Sequence, residues 1–481
     1  MIRKPLIACL VFLLLGTQII AQQRWNLRTI VEYAMANNIT VKQSEVQSRV
    51  NELTYKQSKL SQFPNLNFST GGSVNSGLNQ NPTSFVRTTQ TFFTTNSQLQ
   101  SSADIFNFFS KRNTIEANNW ELQASRANID KLKNDIALNA ANGYLQVLLA
   151  IEQENVTKIQ LAQTQAQLSN TRKLVEAGSL PELNSSQLEA QLALDSVNYI
   201  TARGNVTQSI LLLKSYMNVE ADAPFEVETP PVESIPVDPI AELQPDYVYK
   251  LAMTNQPLQR VNDFRIKAAE KNTEAARGAM FPSLSAFGSL GSGYNDQVRT
   301  VTGFTQTISP TPVPIGSVNV SGTNYTVFTN PVSMSVNTAK STFTNQLSDN
   351  FRQSLGFNIS VPIFNGGSLR TNYLRSKLNI TTLQLQKTQD DQKLKQDIYQ
   401  AYNSAVVALE KFNASKRTVD INQTTYNYAA KRFDVGMLST FDLITTQNNL
   451  LRARLEYTIN RFDYVFKMKV LEFYKGQGLK L

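Results

Sequence analysis

The stretch FPNLNFS, residues 63–69, returns as FPSLSAF, residues 281–287, an offset of 218 residues. A polar, helix-favouring run precedes each copy, and an alternation of apolar and polar residues follows it. AMANN at Ala34 and AMTNQ at Ala252 share the same offset. Beyond the phrase the offset becomes 258: IFN at Ile105 matches IFN at Ile363, Tyr144 matches Tyr402, and VEAGSL at Val175 matches FDVGML at Phe433. The chain therefore reads as two copies of one unit. The 40 extra residues of the second copy fall in a Thr-, Ser-, Asn- and Pro-rich stretch, where Lys340 is the sole charge between Val301 and Ser348. A long exposed loop, carrying a hairpin of its own, is the expectation there.

The segments after the repeated phrase decide the fold. In RQSLGFNISVPIF, residues 352–364, Leu355, Phe357, Ile359, Val361 and Ile363 share one face, and Ser354, Gly356, Asn358 and Ser360 the other. Leu66 and Phe68 alternate in the same way against Asn65, Asn67 and Ser69. Leu99, Ala103 and Ile105 do so against Gln98, Gln100 and Asp104. A fourth segment, SLSAFGSLGSGY from Ser283, alternates less cleanly. About ten residues, apolar on one side and polar on the other, is the pattern of a transmembrane β-strand. Leu355, Phe357, Ile359, Val361, Leu66 and Phe68 are the expected lipid-facing residues. Four strands cannot close a barrel, and lipid does not tolerate an open sheet edge, so several chains must share one.

Long helices are the other half of each unit. No proline occurs between Pro82 and Pro181 or after Pro362, and Ser368 to Val435 contains no glycine. Two helices of about 65 residues are expected, each near 100 Å at 1.5 Å per residue. Ile398, Tyr402, Ala405, Leu409, Phe412, Val419, Tyr426, Ala430 and Phe433 recur at alternating steps of four and three. Ala140, Tyr144, Val147, Ile151, Leu161, Leu168 and Val175 keep the same frame. That repeat makes a coiled-coil seam. Its narrowness suits a hollow palisade of helices wet on both sides, or a plain fibrous coiled coil. Each long helix turns back at a glycine, Gly178 or Gly436, suited to the left-handed cap position. Ser439 or Thr440 can cap the helix that returns.

The remaining composition excludes more than it suggests. Arg3 and Lys4, the apolar run from Leu6 to Leu15, and Ala21 read as a signal segment over residues 1–21. The one cysteine, Cys9, lies within it, and the chain has no histidine. Disulfides, thiolate nucleophiles and imidazole bases are thus absent from the mature chain, and neither a catalytic, a cofactor-binding nor a metal-ligating set is expected. The net charge of +9 is scattered, with no basic stripe for nucleic acid. Residues 22–218 form the first repeat and 246–475 the second, with its loop at about 295–350. Between them, residues 219–245 hold six prolines and seven acidic residues without Lys or Arg, an extended connector. Residues 476–481 are a short tail.

These features together resemble the TolC-like outer-membrane efflux family over nearly all the mature chain. The likeness rests on the duplicated helix–hairpin–helix plan, the FPxL phrases, VPIFNGG at Val361 and RFDVGMLSTFDLITTQ at Arg432. The resemblance implies a homotrimer: a shared twelve-stranded barrel in the outer membrane of a Gram-negative bacterium, and long helices forming a periplasmic tunnel. It also implies a periplasmic adaptor and an inner-membrane pump of the RND or ABC type, serving efflux or type I secretion. Pro362, Asn365, Gly366 and Gly367 match the family's joint between strand and helix. The first copy reads ADIFNFF, so there only Asn107 is expected to be equivalent and the joint to be built differently. Asp442 matches a position where the family carries an acidic ring, though a helix-start acid favoured by the macrodipole explains it as well. Thr445 stands where some members have a second acid, and Asn184 fills the slot in the first copy. Gly178, Leu180, Gly436 and Leu438 would meet the adaptor. A non-transporting coiled-coil structural or adhesive protein is the rival reading, and it leaves the paired hairpins unexplained.

Overall fold

The computed structural model describes residues 25–80, 85–230 and 235–476. The signal segment and all of the tail but Gly476 lie outside them. The chain divides into a helical unit (residues 1–55, 116–271 and 376–481) and a sheet unit (56–115 and 272–375).

The helices follow the duplication closely. In the first copy they are α1 (Leu27–Asn37), α2 (Ile39–Leu60), α3 (Ser110–Glu176) and α4 (Glu182–Met217). In the second they are α5 (Pro245–Asn255), α6 (Pro257–Gly278), α8 (Ser368–Asp434) and α9 (Thr440–Lys475), with a short α7 (Phe343–Asp349) inside the insertion. The two long helices have 67 residues each and the two returning helices 36 each. Among the described residues, no helix is long and apolar enough to cross a membrane.

The core of the helical unit also comes in two copies. Ile30 and Ala34 of α1 pack on Ala140, Tyr144 and Val147 of α3, with Leu213 and Met217 of α4. Val248 and Ala252 of α5 pack on Ile398 and Ala405 of α8, with Met468 and Leu471 of α9. Under the two sequence offsets Ile30, Ala34, Ala140, Val147 and Leu213 fall on Val248, Ala252, Ile398, Ala405 and Leu471, whereas Met217 and Met468 are not counterparts. The seam is wider than its spacing implies in the middle of α3, where Ala137, Ala141, Leu145 and Leu148 are buried as well. Gly143 permits this, since a Cβ there would lie 3.3 Å from the side chains of Leu213 and Tyr216.

The connector is bound to the helices rather than free. Trp25 and Val227 form a parallel bridge, and the Trp25 ring stacks on Phe225 at 5.4 Å. The Tyr144 hydroxyl donates to the Glu228 carbonyl at 2.8 Å. Lys214 Nζ donates to the carbonyls of Ala221 and Ala223, at 2.8 and 2.6 Å. Further on, the buried Lys469–Glu472 pair of α9 holds the chain, because Glu472 Oε1 accepts from the Asp238 amide at 2.6 Å. Each hydrogen bond satisfies a backbone group that a proline-rich segment cannot pair internally.

The sheet unit holds a four-stranded antiparallel sheet in the order β1 (Asn65–Gln80), β2 (Arg87–Phe106), β3 (Ser283–Asn295) and β8 (Arg352–Ser360). β1 and β2 have 16 and 20 residues, longer than the alternation predicts, because NSGLNQ of β1 and the Thr-rich RTTQTFFTTN of β2 continue the ladder. The insertion is largely strand rather than loop. β4 (Arg299–Ile308) pairs with β7 (Val332–Lys340), and β5 (Val313–Val320) with β6 (Thr323–Thr329), as two hairpins in tandem.

Candidate functional site

The sheet has one apolar and one polar face. Phe68 stands opposite Leu99, and Leu99 opposite Leu290. Leu284 and Ala286 stand opposite Ile359 and Phe357. The other face carries Asn65, Asn67, Gln98, Gln100 and Asn358, with a Ser289–Ser354 hydroxyl pair at 2.7 Å. One exception explains the weak alternation of β3. Phe287 lies on the polar face because Gly356 opposite it leaves room for the ring; a Cβ at Gly356 would come within 2.7 Å of it. Leu355 is 84% exposed, Phe357 and Ile359 70%, Leu66 68% and Phe68 67%. Leaving five such side chains in water would forfeit on the order of 10 kcal/mol. Val361, expected in the same row, lies past the end of β8 and is 54% exposed.

The joints into the long helices overturn one expectation. Gly366 and Gly367 have φ of 65° and 76°, as the family motif implies. Phe108 and Phe109 adopt the same left-handed conformation, at 46° and 63°. The hydrogen bonds agree as well. Ser110 N–H donates to the Asn107 carbonyl at 3.0 Å and Ser368 N–H to that of Asn365 at 3.4 Å. Asn113 and Thr371 donate to Phe109 and Gly367, both at 2.9 Å. The first joint is thus the same turn made of bulkier residues. Ring contacts hold it: Phe106 to Phe108 at 5.0 Å, Phe106 to Phe109 at 5.7 Å, and Phe108 stacked on Phe281 at 4.8 Å. Gly278 makes the close approach possible, since a Cβ there would lie 2.6 Å from the Phe108 carbonyl oxygen.

The turns between long and returning helices are also a matched pair. Gly178 and Gly436 have φ of 72° and 73°. Ser179 N–H donates to the Leu174 carbonyl and Met437 N–H to that of Arg432, each at 2.8 Å, closing the same cap. Leu180 and Leu438 do not stand free. Both are half-buried in one cluster with Phe433, Leu443 and Ala429, so they tie the two turns together. The exposed apolar residues here are Leu183, Val435, Met437 and Phe441. Asp442 is exposed, with its carboxylate turned to the start of its own helix. Ser439 Oγ donates to Asp442 Oδ2 at 2.6 Å and accepts from the Asp442 amide at 3.1 Å. Thr445 is exposed and donates to the Phe441 carbonyl at 2.8 Å, and Asn184 is half-buried.

Sequence reasoning missed a buried polar cluster joining α3, α4 and α9. Asp195 is 1% exposed and accepts from Thr164 Oγ1 at 2.6 Å and from Gln191 Nε2 at 2.9 Å. Gln447 Nε2 donates to Thr164 Oγ1 at 2.9 Å, and Gln191 and Asn448 exchange side-chain amide bonds at 3.1 and 3.2 Å. Offset by 258, Thr164 becomes Asn422 and Asp195 becomes Ala453, so the second copy lacks the cluster.

A sheet with one apolar face and open edges, in a chain with paired helices of matched length, has known counterparts. The model of the family described as "Outer membrane efflux protein" matches residues 30–219 and 248–464. The chain belongs to that family. Outer membrane efflux protein BepC of Brucella suis biovar 1 (strain 1330) is 20% identical over 466 residues, covering 96% of this chain and 88% of BepC. Among solved structures, that of CusC has a TM-score of 0.74 at 17% identity, over 94% of this chain and 92% of CusC. The CmeC outer membrane channel of Campylobacter jejuni has a TM-score of 0.72 at 17% identity, over 95% and 87%. This efflux protein is an exit duct of the outer membrane. Its strands contribute to a transmembrane β-barrel and its long helices to a periplasmic helical barrel. The relatives are channels rather than enzymes.

Proposed function

We propose that three copies of this chain close one twelve-stranded barrel through the outer membrane and one helical tunnel beneath it. Cargo passes through passively from a periplasmic adaptor and an inner-membrane pump, which supplies the free energy. One observation carries this reading: the four-stranded sheet ends in two open edges, β1 and β8, while exposing a continuous apolar face. In lipid those edges need partners, and twelve strands leave a lumen that eight would fill. The turns at Gly178 and Gly436 are the adaptor end. Their exposed Leu183, Val435, Met437 and Phe441 supply apolar contact, while Leu180 and Leu438 set the shape of the turn. Asp442 is the candidate constriction, with Asn184 and Thr445 beside it in the family's pattern. For Asp442 to face the tunnel it must exchange its bond to Ser439 for the axis.

Native mass spectrometry of the detergent-extracted protein should give a trimer. In planar bilayers it should conduct weakly with cation preference, and Asp442→Ala should raise the current and lower that preference. A monomer without pore activity would overturn the duct. A trimer whose selectivity is unchanged in Asp442→Ala would remove that residue from the constriction.

A further inference from the structure

The duplication fixes more than the fold of one chain. In the first hairpin Asn65 stands opposite Ser102; in the second, Ser283 stands opposite Ser360. The offsets of 218 and 258 residues carry the first pair onto the second, so both hairpins have the same register, residue for residue. The contact between the hairpins is that of β2 with β3. There Ser97 faces Ser292, Leu99 faces Leu290, Ser101 faces Gly288 and Ala103 faces Ala286, with a bulge between Asp104 and Phe106. β8 is the counterpart of β2, and β1 the counterpart of β3. The partner of each within the chain is already spent on its own hairpin, leaving the outer edges of β1 and β8 open.

We propose that the β2–β3 contact is the template for the contact between copies: β8 of one chain pairs antiparallel with β1 of the next in the register the two offsets dictate. Leu355 then faces Val74 of the second copy, Phe357 faces Gly72, Ile359 faces Thr70 and Val361 faces Phe68. On the polar side, Ser354 faces Asn75 and Ser360 faces Ser69. This rests on the reading that copies share a barrel, and adds which residues meet.

Three features of the edges fit this register. Every pair joins residues of the same face, whereas a slip of one residue would set Leu355 and Phe357 against the polar side of β1. Phe357 falls opposite a glycine, an arrangement the sheet already contains where Phe287 stands opposite Gly356. A slip of two would instead set Phe357 against Thr70 or Val74. Lastly, Pro362 takes the place of Asp104 at the bulge, a position that tolerates proline. The exposures follow: Leu99 and Ala286 are half-buried by the internal contact, while their counterparts Phe357 and Phe68 are bare. Val361, outside β8 in the single chain, gains a partner and extends the strand.

Beyond Cys9 the chain has no cysteine, which suits the test. Ser360→Cys with Ser69→Cys, and Ser354→Cys with Asn75→Cys, place thiols opposite one another across the proposed contact. Ser360→Cys with Ser73→Cys is the four-residue mismatch. Oxidised in native outer membranes, both matched pairs should form chain-to-chain disulfides at least tenfold faster than the mismatch, because thiols with Cα atoms beyond 7 Å do not bridge. Fastest linkage at another offset overturns the register and leaves the shared barrel standing. So does an intact trimer that links at neither matched pair. A monomer by native mass spectrometry, unlinked at every pair, overturns both.

Discussion

The two strand-to-helix joints make one turn from opposite materials. Asn365-Gly366-Gly367-Ser368 adopts two successive left-handed residues at little cost, while Asn107-Phe108-Phe109-Ser110 adopts them against side-chain sterics. A left-handed residue other than glycine costs about 1–2 kcal/mol. Aromatic pairs return about 0.5–1.5 kcal/mol each, and three of them surround the first joint. The conformation is therefore set by what the chain must do, turn from a strand into a helix. The residue type decides only whether the strain is avoided or offset. The small residue has also changed sides. In the first joint the glycine is Gly278, on the helix end that the turn touches. The second places glycines in the turn itself, and the residue corresponding to Gly278 at the 218 offset is Leu60.

Exchanging the materials tests this directly. Gly366→Phe with Gly367→Phe introduces the strain without ring partners, since nothing lies within 4 Å of a Cβ at either glycine. A loss of about 2–4 kcal/mol is expected, read as a lowered denaturation midpoint in detergent. Phe108→Gly with Phe109→Gly removes strain and stacking together and should change stability by about 1 kcal/mol or less. Equal losses in the two exchanges would break the comparison.

The joints also show where sequence is a good guide. VPIFNGG is legible because glycine pairs advertise their backbone. ADIFNFF is opaque because phenylalanine argues against the conformation it adopts, and only the rings of Phe106 and Phe281 reveal why it is tolerated. Helix ends were legible for the first reason: Gly178 and Gly436 mark caps, and proline-free runs mark lengths. In the insertion a hairpin is legible but not the extent of strand, since Thr and Ser alternating with Val and Phe satisfy a loop or a strand as readily. The polar cluster at Asp195 was invisible for a different reason. Gln and Thr along a narrow seam look like a wet helix face, and their burial arises only when residues 31 and 283 positions apart come together.

That cluster separates the copies in the helical unit, as the phenylalanines do in the sheet unit. Asp195→Ala takes the acceptor from the Thr164 hydroxyl and the Gln191 amide in a buried place, where Gln447 Oε1 already lacks a partner. A cost of about 1–3 kcal/mol is expected. Adding Thr164→Val to Asp195→Ala should cost less than Thr164→Val alone, because its partner is gone. Purely additive losses in thermal melts would mean that the cluster is not a unit.

The smallest difference lies at the start of the returning helices. The cap position is Ser439 in the second copy and Pro181 in the first, and Pro181 offers no side-chain acceptor. Ser439→Ala should cost about 1 kcal/mol, visible as faster amide exchange in the first turn of α9, while Pro181→Ala leaves the first turn of α4 nearly as it was. Ser439→Ala does something further, because it removes the hydroxyl that holds the Asp442 carboxylate. If that carboxylate is the constriction, the freed group reaches the axis more readily and cation preference rises; if it is only a helix-start acid, exchange quickens and the current stays the same. One substitution thus separates a cap from a gate at a residue where the sequence left both open.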